Sequence, residues 1–360
     1  MFLNKIVKTP NETAQDVAYL KKSDLPLVLY GDGALANFVQ KLLLHNGIII
    51  NHVIVGKEYY VPNSFFHHYP IERENDILNL FPKMNVILAF GNYRNKKVEL
   101  LKNPAVARCI FFEPAAVQFD FGDYYNTIKE HASELENFYL QLADEHSRNL
   151  MVTFINAKIS GNSETLAGLN VSGEQQYFPE FLHLSDDEVL VDVGAFDGDT
   201  ILAFNEKTQG KYSKIYAFEP SKCNIEKLKK NTSQFNNIKI FEKGCFSCKK
   251  TLHFQEGGES SVVSNEGNIK IDVDALDNIV SGKVTFIKMD IEGSELEALK
   301  GAQEIIRFNV PRLAISLYHR PNDFFSIPQY IYSLNNSYKF YLRHYGPFCT
   351  ELVLYAIPTN

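Results

Sequence analysis

The sequence predicts an α/β protein made of two successive parallel-sheet units, the smaller one first. Three observations predict it. Short continuous apolar runs alternate with segments of helical spacing over residues 26–112 and again over 188–317, the pattern of strands joined by crossover helices. Two of these runs stop at an acidic or glycine-rich tip, Asp192-Val193-Gly194 and Phe218-Glu219-Pro220, which is where parallel sheets present ligand-binding groups. The last two runs, 338–343 and 352–357, are joined by a connection too short for a crossover helix, so they must pair antiparallel.

The elements follow in order. Leu27-Val28-Leu29-Tyr30 reads as a buried strand, Gly31 to Ala36 as its turn, and residues 37–45 as a helix. Further strands are expected at 53–55, 86–90 and 109–112. Residues 122–150 carry Leu135, Phe138, Tyr139, Leu142 and Leu150 at helical intervals and read as connecting helices. The Ser, Gly and Asn of 162–173 mark a loop. In the second half, strands are expected at 188–193, 214–218, 238–241, 284–289, 312–317, 338–343 and 352–357, with helices after the first, second, fourth and fifth, and extra ribbon at 250–255 and 270–273. The expected division is 1–122, a helical linker over 123–175, and 176–360.

Composition narrows the function. With 360 residues, two domains are favoured over one. The 45% hydrophobic and 22% charged content is that of a globular protein with ordinary cores. A net charge of -7 argues against a nucleic-acid partner, which leaves a basic footprint. No run is long and apolar enough to be a membrane span, and the N-terminal residues lack the apolar core of a leader, so a cytoplasmic location is expected. The 5 cysteines are odd in number and read as reduced thiols. Cys245 and Cys248 have zinc-ligand spacing without a second pair to close a site, and no metal site is expected.

The tip motifs carry the chemistry. Asp192-x-Gly194-x-x-x-Gly198 lets the chain turn sharply from strand to helix and leaves bare backbone for a ligand. A carboxylate at Glu219, ending the next strand, is placed to accept the hydroxyls of an adenosine ribose. The pyrophosphate fingerprint is missing, and Asp192 and Asp197 add negative charge. A cationic, phosphate-free nucleoside is therefore expected, and S-adenosylmethionine (SAM) fits that description. The cofactor-binding residues expected are Asp192, Gly194, Ala195, Phe196, Asp197, Gly198 and Thr200 at the first tip, Glu219, Pro220 and Ser221 at the second, Gly244 and Cys245 at the third, and Asp290 at the fourth.

Three motifs give the chain its resemblance to a known family: 191–200, Phe218-Glu219-Pro220, and above all Phe286-Ile287-Lys288-Met289-Asp290-Ile291-Glu292-Gly293-Ser294-Glu295 followed by Leu299-Lys300-Gly301-Ala302. Residues 177–357 resemble the FkbM family of SAM-dependent methyltransferases, many of which methylate sugar hydroxyls. The resemblance implies a Rossmann-like class I methyltransferase domain with a seven-stranded, mostly parallel sheet ending in an antiparallel hairpin. It also implies O-methyl transfer to a sugar or nucleotide-linked sugar in surface polysaccharide or natural-product synthesis. The first unit, through Tyr30-Gly31-Asp32-Gly33 and residues 89–97, resembles the smaller Rossmann-like α/β domain that precedes some nucleotide-sugar acyltransferases, where such loops hold the nucleotide. Ala36 stands where a dinucleotide fold has its third glycine, so a nicotinamide cofactor is not expected.

Four residues are the catalytic candidates. His319, ending the fifth strand, is the expected general base, since imidazole titrates near neutrality. Asp290 and Glu292 end the fourth strand beside it, and Lys288 shares the strand face of Asp290. His344 is a second, weaker base candidate. Asp290, Glu292 and His319 also make a donor set for a hard divalent ion, but metal-independent base catalysis is the preferred reading. Two other readings stay open: a SAM-binding, catalytically inactive assembly or partner-binding protein, and a redox role for the first unit. The sequence leaves open whether the chain forms a homo-oligomer.

Overall fold

The computed structural model describes residues 2–114, 124–255, 262–263 and 269–359. The expected boundary between residues 122 and 123 lies outside the described residues. Among the described residues, strands form three sheets.

The first sheet comprises β1 (Leu27–Tyr30), β2 (His52–Val55), β3 (Phe65–Phe66), β4 (Tyr69–Arg73), β5 (Met84–Leu88) and β6 (Val106–Phe111), in the order β3-β4-β2-β1-β5-β6. All pairs are parallel except β3 with β4. The β3–β4 hairpin was not expected from sequence. Tyr69-Pro70-Ile71-Glu72-Arg73 mixes two strand formers with polar residues, and Pro70 sits beside the hairpin turn, paired with β3 and ahead of the register with β2. Alternate side chains of β1 serve opposite faces: Leu27 and Leu29 pack into one core, Val28 and Tyr30 into the other.

The seven-stranded sheet comprises β7 (Val189–Val193), β8 (Lys214–Phe218), β9 (Ile238–Phe241), β14 (Phe286–Met289), β15 (Arg312–Ser316), β16 (Tyr338–His344) and β17 (Leu352–Pro358). Its order is β16-β17-β15-β14-β7-β8-β9, with β17 antiparallel to both neighbours. The expected mostly parallel sheet with an antiparallel end hairpin is what the chain forms. Between β9 and β14 the third sheet pairs β10 (Gly244–Cys245) with β13 (Ile269–Asp274), and β13 with β11 (Lys250–Gln255), which also pairs β12 (Val262–Val263).

Helices Tyr124–Glu130, Ala132–Gln141 and Glu145–Ser160 pack on the seven-stranded sheet. Leu135, Phe138, Leu142, Leu150 and Phe154 join Phe340 and Leu342 of β16 in one core, and Phe2 is buried there too. Their helical spacing thus marks a layer of that core. Each such side chain removed from water contributes roughly 1.5–3 kcal/mol. The two larger sheets meet where the β16–β17 connection reaches across: Phe348 stacks on Phe111 at 5.4 Å, and Cys349 N–H donates to Glu113 at 3.0 Å. Among the described residues no helix is long and apolar enough to cross a membrane.

Candidate active site

The site is built at the carboxyl ends of β7, β8 and β14. Asp192, the penultimate residue of β7, is fully buried and lies 3.1 Å from the Lys288 ammonium of neighbouring β14. Lys288 also donates to the Gly194 carbonyl at 2.7 Å. Burial pushes the Asp192 carboxyl up. Burial alone would lower Lys288, but Asp192, Asp290 and Asp199 outweigh it and hold the ammonium above its ordinary value. The pair therefore fixes the turn from beneath. Asp192, expected to grip the ligand, lies under Gly194, while Lys288, expected at the reaction, both holds the turn and lines the cavity.

Gly194 has φ 81°, and a Cβ there would stand 2.0 Å from the Asp290 carbonyl oxygen. No other residue fits so close an approach. Ala195 is fully buried, and its carbonyl accepts from Gly198 N–H at 2.8 Å. Gly198 in turn abuts Leu228 and Thr232. The Asp197 carbonyl accepts from Asn231 at 2.9 Å. These three expected cofactor residues shape the turn, while Gly194, Phe196 and Thr200 face the cavity. Glu219 joins two tips: it accepts from Phe196 N–H at 3.1 Å through one oxygen, and from Ser221 N–H at 2.8 Å and Asn224 at 3.3 Å through the other. Burial raises its pKa. Asn224 was not singled out in the sequence, since an amide in a helix carries no periodic signal.

A single cavity of about 490 Å³ runs along these tips, within the size range of small-molecule sites. One end is walled by the cofactor candidates Glu219, Pro220, Ser221, Gly244 and Cys245, together with Phe246 and with Leu252, Ile271 and Val273 of the third sheet. The other end is walled by Gln176, Tyr177, Asp290, Glu292 and Glu351.

At this second end the side chains converge. Tyr177 donates its hydroxyl to Asp290 at 2.7 Å, and the Tyr318 hydroxyl lies 3.5 Å from the other Asp290 oxygen. His319 Nε2 lies 3.6 Å from Asp290 Oδ1 and 3.5 Å from Glu292 Oε2, while Nδ1 faces Glu295 Oε1 at 3.1 Å. Burial alone would lower His319, but Glu295, Asp290 and Glu292 raise it to about 9. The three carboxylates thus hold the ring's proton more tightly than the expected titration near neutrality. Burial, followed by repulsion from Asp290, pushes Glu292 up to about 7. Glu292 occupies the left-handed region at φ 56°, ahead of Gly293 at φ 90°. Such a conformation costs about 1–3 kcal/mol and turns the carboxylate toward His319.

Tyr177, Tyr318, Glu295 and Glu351 complete this end; of these only Tyr318 is a sequence candidate, for binding acceptor oxygens. Glu295 lay within the quoted motif but reads there as a helix-start carboxylate, and its Oε1 does accept from Ile291 N–H at 2.9 Å. His344 does not join the site. It is fully buried, bonded to Asn170 and, at 2.7 Å, to the Phe348 carbonyl, and burial lowers its pKa.

The edge of the first sheet differs. Lys96 pairs with Glu74 at 3.1 Å, Lys97 with Glu164 at 3.3 Å, and Arg94 donates to the Pro347 carbonyl at 3.3 Å. The cations of the 89–97 motif are therefore engaged within the protein.

Comparison with known proteins agrees with this geometry. Residues 192–340 match the model of the methyltransferase FkbM domain. The crystal structure of methyltransferase FkbM from Methylobacillus flagellatus KT is similar at a TM-score of 0.79 with 23% identity, covering 99% of this chain and 96% of that one. An rRNA methylase from Streptococcus thermophilus overlaps at a TM-score of 0.34 with 19% identity, covering 49% of this chain and 89% of that one. Aeropyrum pernix fibrillarin, in complex with natively bound S-adenosyl-L-methionine, overlaps at a TM-score of 0.32 with 14% identity, covering 49% and 70%. No curated protein matches the sequence. Over residues 192–340, then, the chain matches the methyltransferase FkbM domain, on a fold shared with the Methylobacillus flagellatus protein.

Proposed function

We propose that the chain transfers the methyl group of SAM to a hydroxyl of a sugar, nucleotide-linked or glycan-linked, in surface polysaccharide or natural-product synthesis. The observation that carries this reading is the continuity of one cavity from Glu219 to the Asp290 and Glu292 carboxylates. Donor and acceptor ends then share a single space.

The residues fit an adenosyl amino acid. Glu219 retains acceptor capacity toward a ribose, the apolar side chains of Leu252, Ile271 and Val273 suit an adenine face, and Gly194 with Thr200 leaves room for the amino-acid end. When bound, SAM supplies an activated methyl group on a sulfonium. The protein's part is to align the acceptor, worth up to about 7–11 kcal/mol in well-oriented systems, and to receive its proton. Asp290 and Glu292 line the cavity, whereas His319 lies behind them at 6% side-chain exposure. The carboxylates are therefore the groups an acceptor hydroxyl meets first, and His319 holds the two together. The edge of the first sheet, beside Gly91 and Phe348, is proposed to grip the carrier of a linked sugar.

Labelled SAM offered with a panel of nucleotide sugars, and product read by mass spectrometry, tests the reading. A methylated sugar is expected. In Asp290→Asn, turnover is expected to fall while SAM uptake by calorimetry persists. Measured SAM uptake with no labelled product from any sugar would remove the acceptor assignment.

A further inference from the structure

The acceptor end carries more negative charge than a sugar hydroxyl needs. Asp290, Glu292, Glu295 and Glu351 come together there around the one imidazole of His319, while the ammonium of Lys288 is engaged by Asp192 and Gly194. A neutral polyhydroxy acceptor does not balance this charge, and the diphosphate of a nucleotide sugar would add to it.

A second observation is independent of the charge. Glu295 Oε2 and both ring nitrogens of His319 are buried with no hydrogen-bond partner among the described residues. The side chains of Glu295 and His319 are 0% and 6% exposed. The 3.1 Å approach of Nδ1 to Glu295 Oε1 lacks the alignment of a hydrogen bond. Buried polar atoms are left bare at a cost, and a native structure with several in one place calls for a ligand that satisfies them.

Asp290, Glu295 and His319 can each offer one ligand atom, all within 4.8 Å of one another. A six-coordinate ion with ligand distances of about 2.1 Å holds adjacent ligand atoms about 3 Å apart and opposite ones about 4.2 Å apart, so binding would draw these side chains inward. Two carboxylates and one imidazole suit a hard to borderline divalent ion. We propose that Asp290, Glu295 and His319 bind one divalent cation of the Mn²⁺ or Mg²⁺ type, with Glu292 at its rim. Its open positions face the cavity, since Asp290 and Glu292 line it, and there oxygens of the acceptor complete the coordination. This deepens the proposed methyl transfer and rests on that reading for the acceptor alone; the cation site stands on its own geometry.

The test uses the full chain, stripped with a chelator, and Mn²⁺ alone, without SAM or sugar. Paramagnetic resonance of free Mn²⁺ is expected to show uptake of one equivalent, with nitrogen coupling from the imidazole in the bound spectrum. Glu295→Gln keeps an amide oxygen for the Ile291 N–H, so it should stay folded in thermal unfolding while Mn²⁺ affinity falls by more than about tenfold. Asp290→Asn should weaken uptake likewise, and His319→Gln should also erase the nitrogen coupling. No uptake by the wild-type chain, or equal uptake by wild type and Glu295→Gln, overturns the proposal. SAM uptake measured separately distinguishes the two ideas: Mn²⁺ binding without SAM binding sinks the methyl-transfer reading and leaves the cation site standing.

Discussion

The two parallel sheets begin alike and end differently. Each has a glycine turn after its first strand, with the backbone pressed against the neighbouring strand tip: a Cβ at Gly31 would lie 2.7 Å from the Ala89 carbonyl oxygen, and one at Gly194 2.0 Å from that of Asp290. Beyond the turn they diverge. At the edge of the first sheet Tyr30 donates to Glu74 at 2.7 Å and Glu74 pairs with Lys96. The edge of the second gathers Asp290, Glu292, Glu295 and His319 and leaves several of their atoms without partners among the described residues. A glycine turn therefore reports geometry only.

The comparison breaks most visibly at the buried pair. Lys288→Met leaves Asp192 buried and uncompensated, so urea unfolding should show a loss of about 3–5 kcal/mol. Adding Asp192→Leu should recover much of that stability without restoring SAM uptake, because the turn loses its anchor on the Gly194 carbonyl. Next come the glycines. Gly194→Ala and Gly31→Ala should each destabilise by more than the about 1–3 kcal/mol of positive-φ strain, because each new Cβ meets a backbone carbonyl oxygen, yet calorimetry should find SAM uptake abolished only in Gly194→Ala. Equal effects on uptake would erase the distinction between the two edges.

Glu219→Gln sharpens it. The amide retains an acceptor for the Phe196 or Ser221 N–H but loses the charge, and a charged hydrogen bond is worth about 1.5–3 kcal/mol, so SAM affinity should fall by roughly 10- to 100-fold. The smallest effect belongs to the first sheet: Lys96→Ala removes a partly exposed pair and should change stability by less than about 1 kcal/mol, with SAM uptake unaltered.

Much of this could be read in the sequence where one residue's place on a strand decides its surroundings. Asp192, Glu219 and Asp290 end apolar runs, and a parallel sheet brings such ends together. What escaped were residues delivered by irregular chain. Tyr177, at φ 66°, reaches Asp290 from the loop before β7, and Glu351, at φ 56°, arrives from the β16–β17 connection. Neither position has a period. Glu295 was hidden for another reason, since a glutamate at a helix start already has a local explanation, and only its unpaired second oxygen argues for more. The Phe65–Arg73 hairpin escaped because its edge position lets it be polar.

The β16–β17 connection has a consequence for how the halves communicate. Phe348 is stacked on Phe111 of the first sheet, Glu351 lines the cavity of the second, and only Cys349 and Thr350 lie between them. Cys349 is itself tethered to Glu113. So short a lever leaves little slack between the rim of the first sheet and the Glu351 wall of the cavity.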